Sequence, residues 1–475
     1  MIAARGRERC VAGIARGFVR TIGAMSDRTP PHALVDDRPG EGVFRVHRDA
    51  FCRDDVFELE LDALFERGWV YLGHESQLPR PNDYLTTWVG RVAVVVMRDE
   101  AGRLGAFLNS CRHKGAQVVH RARGNARLHL CRYHGWSYDS AGRNVVLRAR
   151  ADGAYPPSFD DAPHGLQPLA AFASHRGFLF GSLSDPGTTL ADHLGDARIF
   201  LDLVVDQSEQ GIELLPGDVR YTFRANWKFQ LENTVDAYHF PATHPSYLRL
   251  MDRRARMGPR EGVARSVWQG DDGVQLDERM GAFTFAHGHV LVWTTSPPER
   301  HPLYAQREAL GRRVGAERAS WMLRTRQLDV FPNLQIGSSA AIQMRVIRPL
   351  APDLTEVSTW CIAPVGESAD ARRQRLRQYE DFYNPSGMAT PDDTVNYEDC
   401  QRGMRSGRVP WQQAWLQGHA RGSSAVRPGA DAHARALGIR PATSSSGPFA
   451  LADETVFHGL YREWAARLRD AETSR

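Results

Sequence analysis

Two short segments carry thiols and imidazoles at spacings that suit a metal centre. Cys111-Arg112-His113 is followed, 17 residues on, by Cys131-Arg132-Tyr133-His134. Gly115 and Gly135 each follow a pair, where a residue without Cβ lets a tight turn bring backbone close to a metal. Zinc takes two cysteines and two histidines tetrahedrally. In a zinc finger, however, both cysteines sit in one pair and both histidines in the other. Here each pair is mixed. A [2Fe–2S] cluster needs that arrangement when two thiolates hold one iron and two imidazoles the other. The spacing therefore predicts Cys111, His113, Cys131 and His134 as ligands of one such cluster. His120 and His129 fall outside the pattern and are read as ordinary polar residues. Cys10, Cys52, Cys361 and Cys400 have no His or Cys nearby and are read as small buried apolar side chains.

A second constellation lies in 'NWKFQLENTVDAYHFPATHPSY', residues 226–247. Asp236 and His239 are spaced i, i+3, on one face of a predicted helix. His244 is five further on, roughly 140° around an ideal helix, so the two rings cannot meet one metal without a break. Pro241 lies between them and is expected to kink or end the helix. Two histidines and one carboxylate form the facial triad of non-haem Fe(II) sites, which keeps positions open for O₂. Three residues are candidates for the carboxylate. Asp236 is nearest, but it can instead orient a histidine by hydrogen bonding. Asp392 and Asp393 stand far downstream in 'NPSGMATPDDTVNYE'. Residue chemistry alone leaves the choice open.

The elements around these residues are legible in outline. 'DDVFELELDALFERGW' (54–69) places apolar residues at helical spacing after two acidic residues that suit a helix start. From about residue 70 to 183 short β-rich runs alternate with Gly, Asn and Asp. Residues 190–209 read as helix. After 211 come strand-like runs such as 'VRYTF', 'HVLVWTT', 'LDVFPNLQI', 'AIQMRVIRPL' and 'TEVSTWCIAPV'. Helical patterns cover 227–240, 369–383, 392–404 and the C-terminal 'ADETVFHGLYREWAARLRD', whereas 421–447 reads as a loop rich in Gly, Pro and Ser. Strands beside separate helices predict an α+β fold rather than a doubly wound sheet. No Gly-x-Gly-x-x-Gly or Gly-Lys-Ser/Thr loop is present, so no bound nucleotide of those folds is expected.

Composition narrows the class. The 475 residues hold 60 Lys+Arg against 56 Asp+Glu, a formal charge of +4. That balance excludes a polybasic nucleic-acid binder. No run approaches the ~18 apolar residues of a membrane-spanning helix. Residues 1–24 hold five arginines and one glutamate, and so carry the whole excess charge. They lack the apolar core of a secretory signal. They read as an upstream extension before Met25, with a mitochondrial-type transit peptide as the rival. The expected compartment is the cytoplasm, where thiols stay reduced and clustered cysteines bind metal. Only two of the cations are lysines, Lys114 and Lys228, one in each metal segment.

'CRHKGAQ…CRYHGWSYD' resembles the Rieske motif of aromatic-ring-hydroxylating oxygenases, and 'NWK…EN…DAYH…H' with a later 'G…DD' resembles the catalytic pattern of their large subunits. The likeness spans roughly residues 40–465. Segments such as 'VFRVHRDAF', 'WVYLGHESQLP' and 'RQYEDFYNPSGMATPDD' are most similar to benzoate, toluate, halobenzoate and anthranilate 1,2-dioxygenase large subunits. The polar stretch after Met25 reads as disordered, so 1–43 is taken as a leader and disordered entry segment. The resemblance implies a Rieske domain with its preceding helix at 44–185 and a mononuclear-iron catalytic domain at 186–475. It implies one [2Fe–2S] cluster and one mononuclear non-haem Fe(II), with His239, His244 and Asp393 as iron ligands and Asp392 as the alternative. Asp236 would bridge His239 to His134 of a neighbouring subunit, and Asn233 would sit near the iron. It also implies a trimer of large subunits with a small beta subunit, and an NADH-dependent flavin/iron-sulfur reductase, with or without a ferredoxin. The implied reaction is dihydroxylation of an aromatic carboxylate. The rivals are a Rieske monooxygenase or demethylase, and a non-catalytic electron-transfer or zinc protein. Two features depart from the family: Lys114 stands where arginine is usual, and 'FPATHPSYLRLMDRR' differs from the benzoate type.

Overall fold

The computed structural model describes residues 29–257, 280–295, 301–339, 341–412, 426–447 and 453–474. The arginine-rich 1–24 segment and Cys10 lie outside them. The β-rich part contains three small antiparallel sheets. In the first, Asp83–Val89 and Val92–Arg98 form the centre, flanked by Leu104–Leu108 and Arg123–Asn125. In the second, Ser137–Asp139 lies between Leu128–Leu130 and Asn144–Val146. In the third, Phe178–Ser182 pairs with Val70–His74 and Ala171–His175. A small core of Val95, Met97, Val118, Val119, Trp136 and Tyr138 encloses Cys111 and Cys131.

The second part is built on a ten-stranded antiparallel sheet. Its longest strands, Ile342–Ala351 and Leu354–Pro364, form a hairpin. Thr355, Val357, Thr359 and Cys361 are buried at every second position along the latter strand, the period of a pleated strand with one covered face. One face of the sheet packs on the helices Arg198–Val205 and Ala316–Met322. The helix Trp227–Val235 lies on the strands Thr325–Val330 and Ile342–Ala351. The architecture is therefore α+β.

The helix that begins at Asp54 and runs on through a π-helical turn to Glu66 shares one apolar core with Trp227–Val235 and the C-terminal helix Val456–Thr473. At its centre Lys228 pairs with Glu60, while the indole N–H groups of Trp227 and Trp464 donate to the same carboxylate. Burial favours the neutral amine of Lys228, and Glu60 opposes that shift. This lysine is thus a core ion pair rather than a metal-site cation.

Three other expectations change. The described part of the entry segment, from residue 29, is not disordered: Pro31–Leu34 is a short 3-10 helix with Leu34 buried, and Val35–Arg38 pairs with the strand Val43–His47. Residues 421–447 are not a plain loop: their described part contains Val426–Pro428, the helix Ala432–Leu437 and Thr443–Ser446, which adds to the large sheet. Asp431 caps that helix by accepting the Ala434 N–H, a local signal that the Gly and Pro content obscured. Cys361 is buried but Cys400 is exposed on the helix Thr390–Arg405. Among the described residues no helix is long and apolar enough to cross a membrane.

Candidate metal centres

The first centre grows from two turns of the same design. Cys111 donates its N–H to Ala116 and accepts from Gly115; Cys131 donates to Trp136 and accepts from Gly135. Gly115 and Gly135 have φ of 76° and 78°, the left-handed region in which a side chain is strained. Each turn so carries its cysteine inward and its histidine to the rim. Both thiols are buried. The His113 and His134 rings lie with centroids 4.3 Å apart, and His113 stacks on Trp136. The buried Nδ1 of His113 has no hydrogen-bond partner. Two inward thiols, two paired imidazoles and an orphaned ring nitrogen fit a cluster with one iron on each ligand type.

Tyr138 belongs to this centre and was not expected. Its hydroxyl lies 3.1 Å from Cys111 Sγ and accepts the Arg112 N–H. Burial and the neighbouring thiol raise its pKa, which keeps the O–H as a donor. The 'YHGWSYD' run places it on the strand next to the second turn, but nothing in its spacing marks a contact with the first. His120 is exposed; His129 is buried and its pKa is lowered by burial. Lys114 is exposed.

The second centre follows the helix Trp227–Val235, whose start is capped by Asn226 accepting the Lys228 N–H. The helix stops at Asp236, which is extended at φ −95° and ψ 105°. Asp236 Oδ1 instead accepts the N–H groups of Tyr238 and His239, a side-chain turn that replaces the helix. Asp236 and His239 therefore do not share a helix face. Pro241 does not make the break either. It sits in the first turn of a short helix, Phe240–Thr243, where its missing N–H costs nothing. The contact expected from the i, i+3 spacing is still made, with His239 Nδ1 3.3 Å from Asp236 Oδ2.

Asp393 arrives on the helix Thr390–Arg405. Its Oδ1 lies 3.5 Å from His239 Nε2 and 3.1 Å from His244 Nε2. All three donor atoms fall within 4.8 Å of one another. Bonds of about 2.1 Å meeting at right angles need donors about 3 Å apart, so one small metal ion fits with open positions left. Asp392 takes a different place. Its Oδ2 is 3.5 Å from His244 Nδ1, the ring nitrogen facing away from the other donors. Asn233 Nδ2 lies 3.1 Å from His239 Nε2 and 3.2 Å from Asp393 Oδ1.

The electrostatics favour a cation here. Burial works against a charged His239, but the carboxylates of Asp236 and Asp393 outweigh it and raise its pKa to about 10. Burial also works against ionised Asp393, yet the two imidazoles hold it at about 2. The site without metal draws in a proton where an ion would go. Phe240, Tyr247 and Phe382 form an aromatic wall beside His244, with Tyr247 and Phe382 centroids 4.7 Å apart. No hydrogen bond or ion pair joins His134 to Asp236 within the chain among the described residues.

Comparison with known proteins fits this geometry. The family described as "Ring hydroxylating alpha subunit (catalytic domain)" matches residues 215–470, and "Rieske [2Fe-2S] domain" matches residues 68–157. The chain is 38% identical over 418 residues to the toluate 1,2-dioxygenase subunit alpha of Pseudomonas putida, covering 86% of this chain and 89% of that one. It is also 38% identical over 435 residues to the 2-halobenzoate 1,2-dioxygenase large subunit of Burkholderia cepacia, covering 91% and 90%. The crystal structure of naphthalene 1,2-dioxygenase from Rhodococcus sp. bound to indole superposes with a TM-score of 0.75 at 26% identity, covering 89% of this chain and 94% of that one.

Proposed function

This chain belongs to the Rieske-type ring-hydroxylating oxygenase large subunits, which use a [2Fe–2S] cluster and a mononuclear non-haem iron, and from that premise we propose that it dihydroxylates an aromatic carboxylate. The observation that carries the reading is the convergence of His239, His244 and Asp393 beside an aromatic wall. The substrate class is taken from the relatives, whose names specify toluate and 2-halobenzoate.

In this reading Cys111, Cys131, His113 and His134 hold the cluster, and His239, His244 and Asp393 hold the iron. When bound, the cluster supplies electrons singly and the ferrous iron activates O₂ beside the ring. Asn233 steadies the donor atoms of His239 and Asp393. Asp392 faces the outer nitrogen of His244 and fixes its orientation. Asp236 does the same for His239 and is the conduit by which electrons reach it. Tyr138 donates to a cluster thiolate, one of the means by which a protein tunes such a potential.

A conduit at Asp236 requires a neighbouring subunit's His134, and hence a ring of large subunits, a trimer in this reading. Exposed Leu128, Leu130 and Tyr133 near the cluster, and Tyr238 beside Asp236, are apolar surfaces of the kind a subunit contact covers. Electrons come from NADH through a reductase, with or without a ferredoxin, and a small beta subunit completes the assembly in the cytoplasm. The Rieske domain occupies 44–185 and the catalytic domain 186–475.

The test is product analysis with purified components, NADH and a panel of benzoate, toluate, anthranilate, salicylate and halobenzoates under ¹⁸O₂. The expected product carries two labelled oxygens as a cis-diol acid, or as a catechol from ortho-substituted acids. One labelled oxygen would mark a monooxygenase or demethylase, and no product from any acid would reject the reading. Metal analysis is expected to find about three irons and two sulfides per chain; zinc without sulfide would reject it too.

A further inference from the structure

The sheet face under the helix Trp227–Val235 is polar where such a contact is usually apolar. Four residues stand side by side across its strands: Asp329 opposite Gln335, Gln335 opposite Arg345, and Arg345 opposite Thr359. All four are buried. Three of them are tied into the fold. Gln335 donates to Asp329 and to the Gln230 and Leu231 carbonyls, and Thr359 accepts from Gln343 and meets the Tyr379 hydroxyl. Arg345 is different. It makes one weak hydrogen bond, Nη1 to Thr234 Oγ1 at 3.3 Å, and its buried Nε has no acceptor. Among the described residues no carboxylate lies within ion-pair distance of it. Asp329, whose Oδ2 is likewise buried without a partner, makes no ion pair with it, and burial shifts the Asp329 pKa upward, towards the neutral acid. The fully buried guanidiniums have stronger partners: Arg375 pairs with the Glu367 carboxylate, and Arg326 donates to the Trp321 carbonyl and Ser338 on the opposite face of the sheet.

An unpaired buried charge is costly to a fold. This one lies next to the metal site. Thr234 follows Asn233, whose amide contacts His239 and Asp393. The cross-strand neighbour of Arg345, Thr359, meets the Tyr379 hydroxyl, and Gln343, two residues away on the same strand face, donates to the Tyr383 carbonyl. The guanidinium thus stands near Tyr379 and Tyr383 on the metal side of the sheet. A guanidinium with a free edge matches a carboxylate in geometry and charge. In a 1,2-dioxygenation the carboxylate sits one bond from a reacting ring carbon, so its anchor must lie close to the metal.

We propose that Arg345 binds the carboxylate of the aromatic acid and so selects acids over neutral rings. The proposal rests on the dioxygenase reading above. Its test compares benzoate with nitrobenzene, a neutral ring of the same shape, in wild type, R345K and R345Q. Calorimetry on the metal-free protein reads binding, and coupled turnover reads KM and kcat. R345Q is expected to weaken benzoate binding and raise its KM about 100-fold, as for loss of a buried charge-assisted pair, with kcat lowered less than tenfold. Nitrobenzene binding should change by less than threefold. R345K, which keeps the charge without the fork, should fall between. The Tm of ligand-free R345Q should equal or exceed that of wild type, because an unpaired charge is removed. Unchanged benzoate affinity in R345Q, or equal loss for both ligands with a lower Tm, would overturn the role of Arg345 alone. A wild-type enzyme that turns over no aromatic acid overturns the dioxygenase reading and this inference with it.

Discussion

Cys111–His113 and Cys131–His134 lie on two neighbouring turns, each closed by the same pair of backbone hydrogen bonds and each released by a left-handed glycine. His239, His244 and Asp393 come instead from a side-chain turn, the end of a short helix and a helix far downstream. The first centre is a local device repeated twice, with its histidines at a solvent-facing rim. The second is assembled by tertiary packing and its Asp393 is buried. Local construction suits an electron carrier, which must meet a partner at its edge. Assembly from distant elements suits a reacting site, where a pocket has to be enclosed around the metal.

The contrast is open to attack from both sides. Asp393→Ala should remove the mononuclear iron and abolish turnover while the visible and EPR spectra of the cluster persist. Cys131→Ala should do the reverse, losing sulfide and cluster but retaining one iron. Loss of both metals in either variant would show that the centres are not independently built. Next in size is Lys228→Met, which strands Glu60 in the core between two indoles. It should lower stability by about 3–5 kcal/mol in denaturant titrations, the cost of breaking a buried pair. The cluster spectrum should not change, since Lys228 belongs to the core. Asp236→Asn should slow electron transfer from cluster to iron about 10–100-fold with both metals retained, the usual scale for a group that orients a ligand histidine. Stopped-flow oxidation of the reduced cluster reads it; a rate equal to wild type would remove Asp236 from the path.

Histidines outside the two centres give a smaller, pH-dependent effect. Burial lowers the pKa of His74 and His289 to about 4 and of His301 to about 3. Each is neutral when folded but takes a proton when unfolded below about pH 6.5. Their contribution to stability is therefore complete above pH 6.5 and is lost as the pH falls through about 4. Each adds a slope of up to about 1.4 kcal/mol per pH unit in that window. Denaturation midpoints measured from pH 7 to pH 4.5 should fall accordingly; a flat profile would contradict their neutral burial. The smallest effect is Tyr138→Phe, which removes the hydroxyl beside Cys111 Sγ and should lower the cluster potential in a redox titration without loss of iron.

Much of this was legible in the residues themselves. The mixed Cys/His pairs named the cluster type, because ligand identity and loop spacing are local. Strands such as Leu354–Pro364 were readable because one covered face imposes a two-residue period. The end of a helix at Asp236 was misplaced onto Pro241, since a carboxylate that accepts two N–H groups ends a helix as firmly as a proline does. The helix Ala432–Leu437 was hidden inside a Gly- and Pro-rich stretch.

What the amino-acid sequence determined by itself is the inventory of candidate ligands, the periodic elements and the family to which the chain is similar. What only the tertiary structure decided is which groups meet. It brings Asp393 Oδ1 to both imidazoles and turns Asp392 to the outer side of His244. It spends Lys228 on Glu60, and it leaves Arg345 buried without a carboxylate. The physical reason is common to all of these. Adjacent carboxylates, or arginines in a chain rich in them, are chemically equal along the sequence. They become different only when packing fixes their distance to charges carried by remote strands and helices.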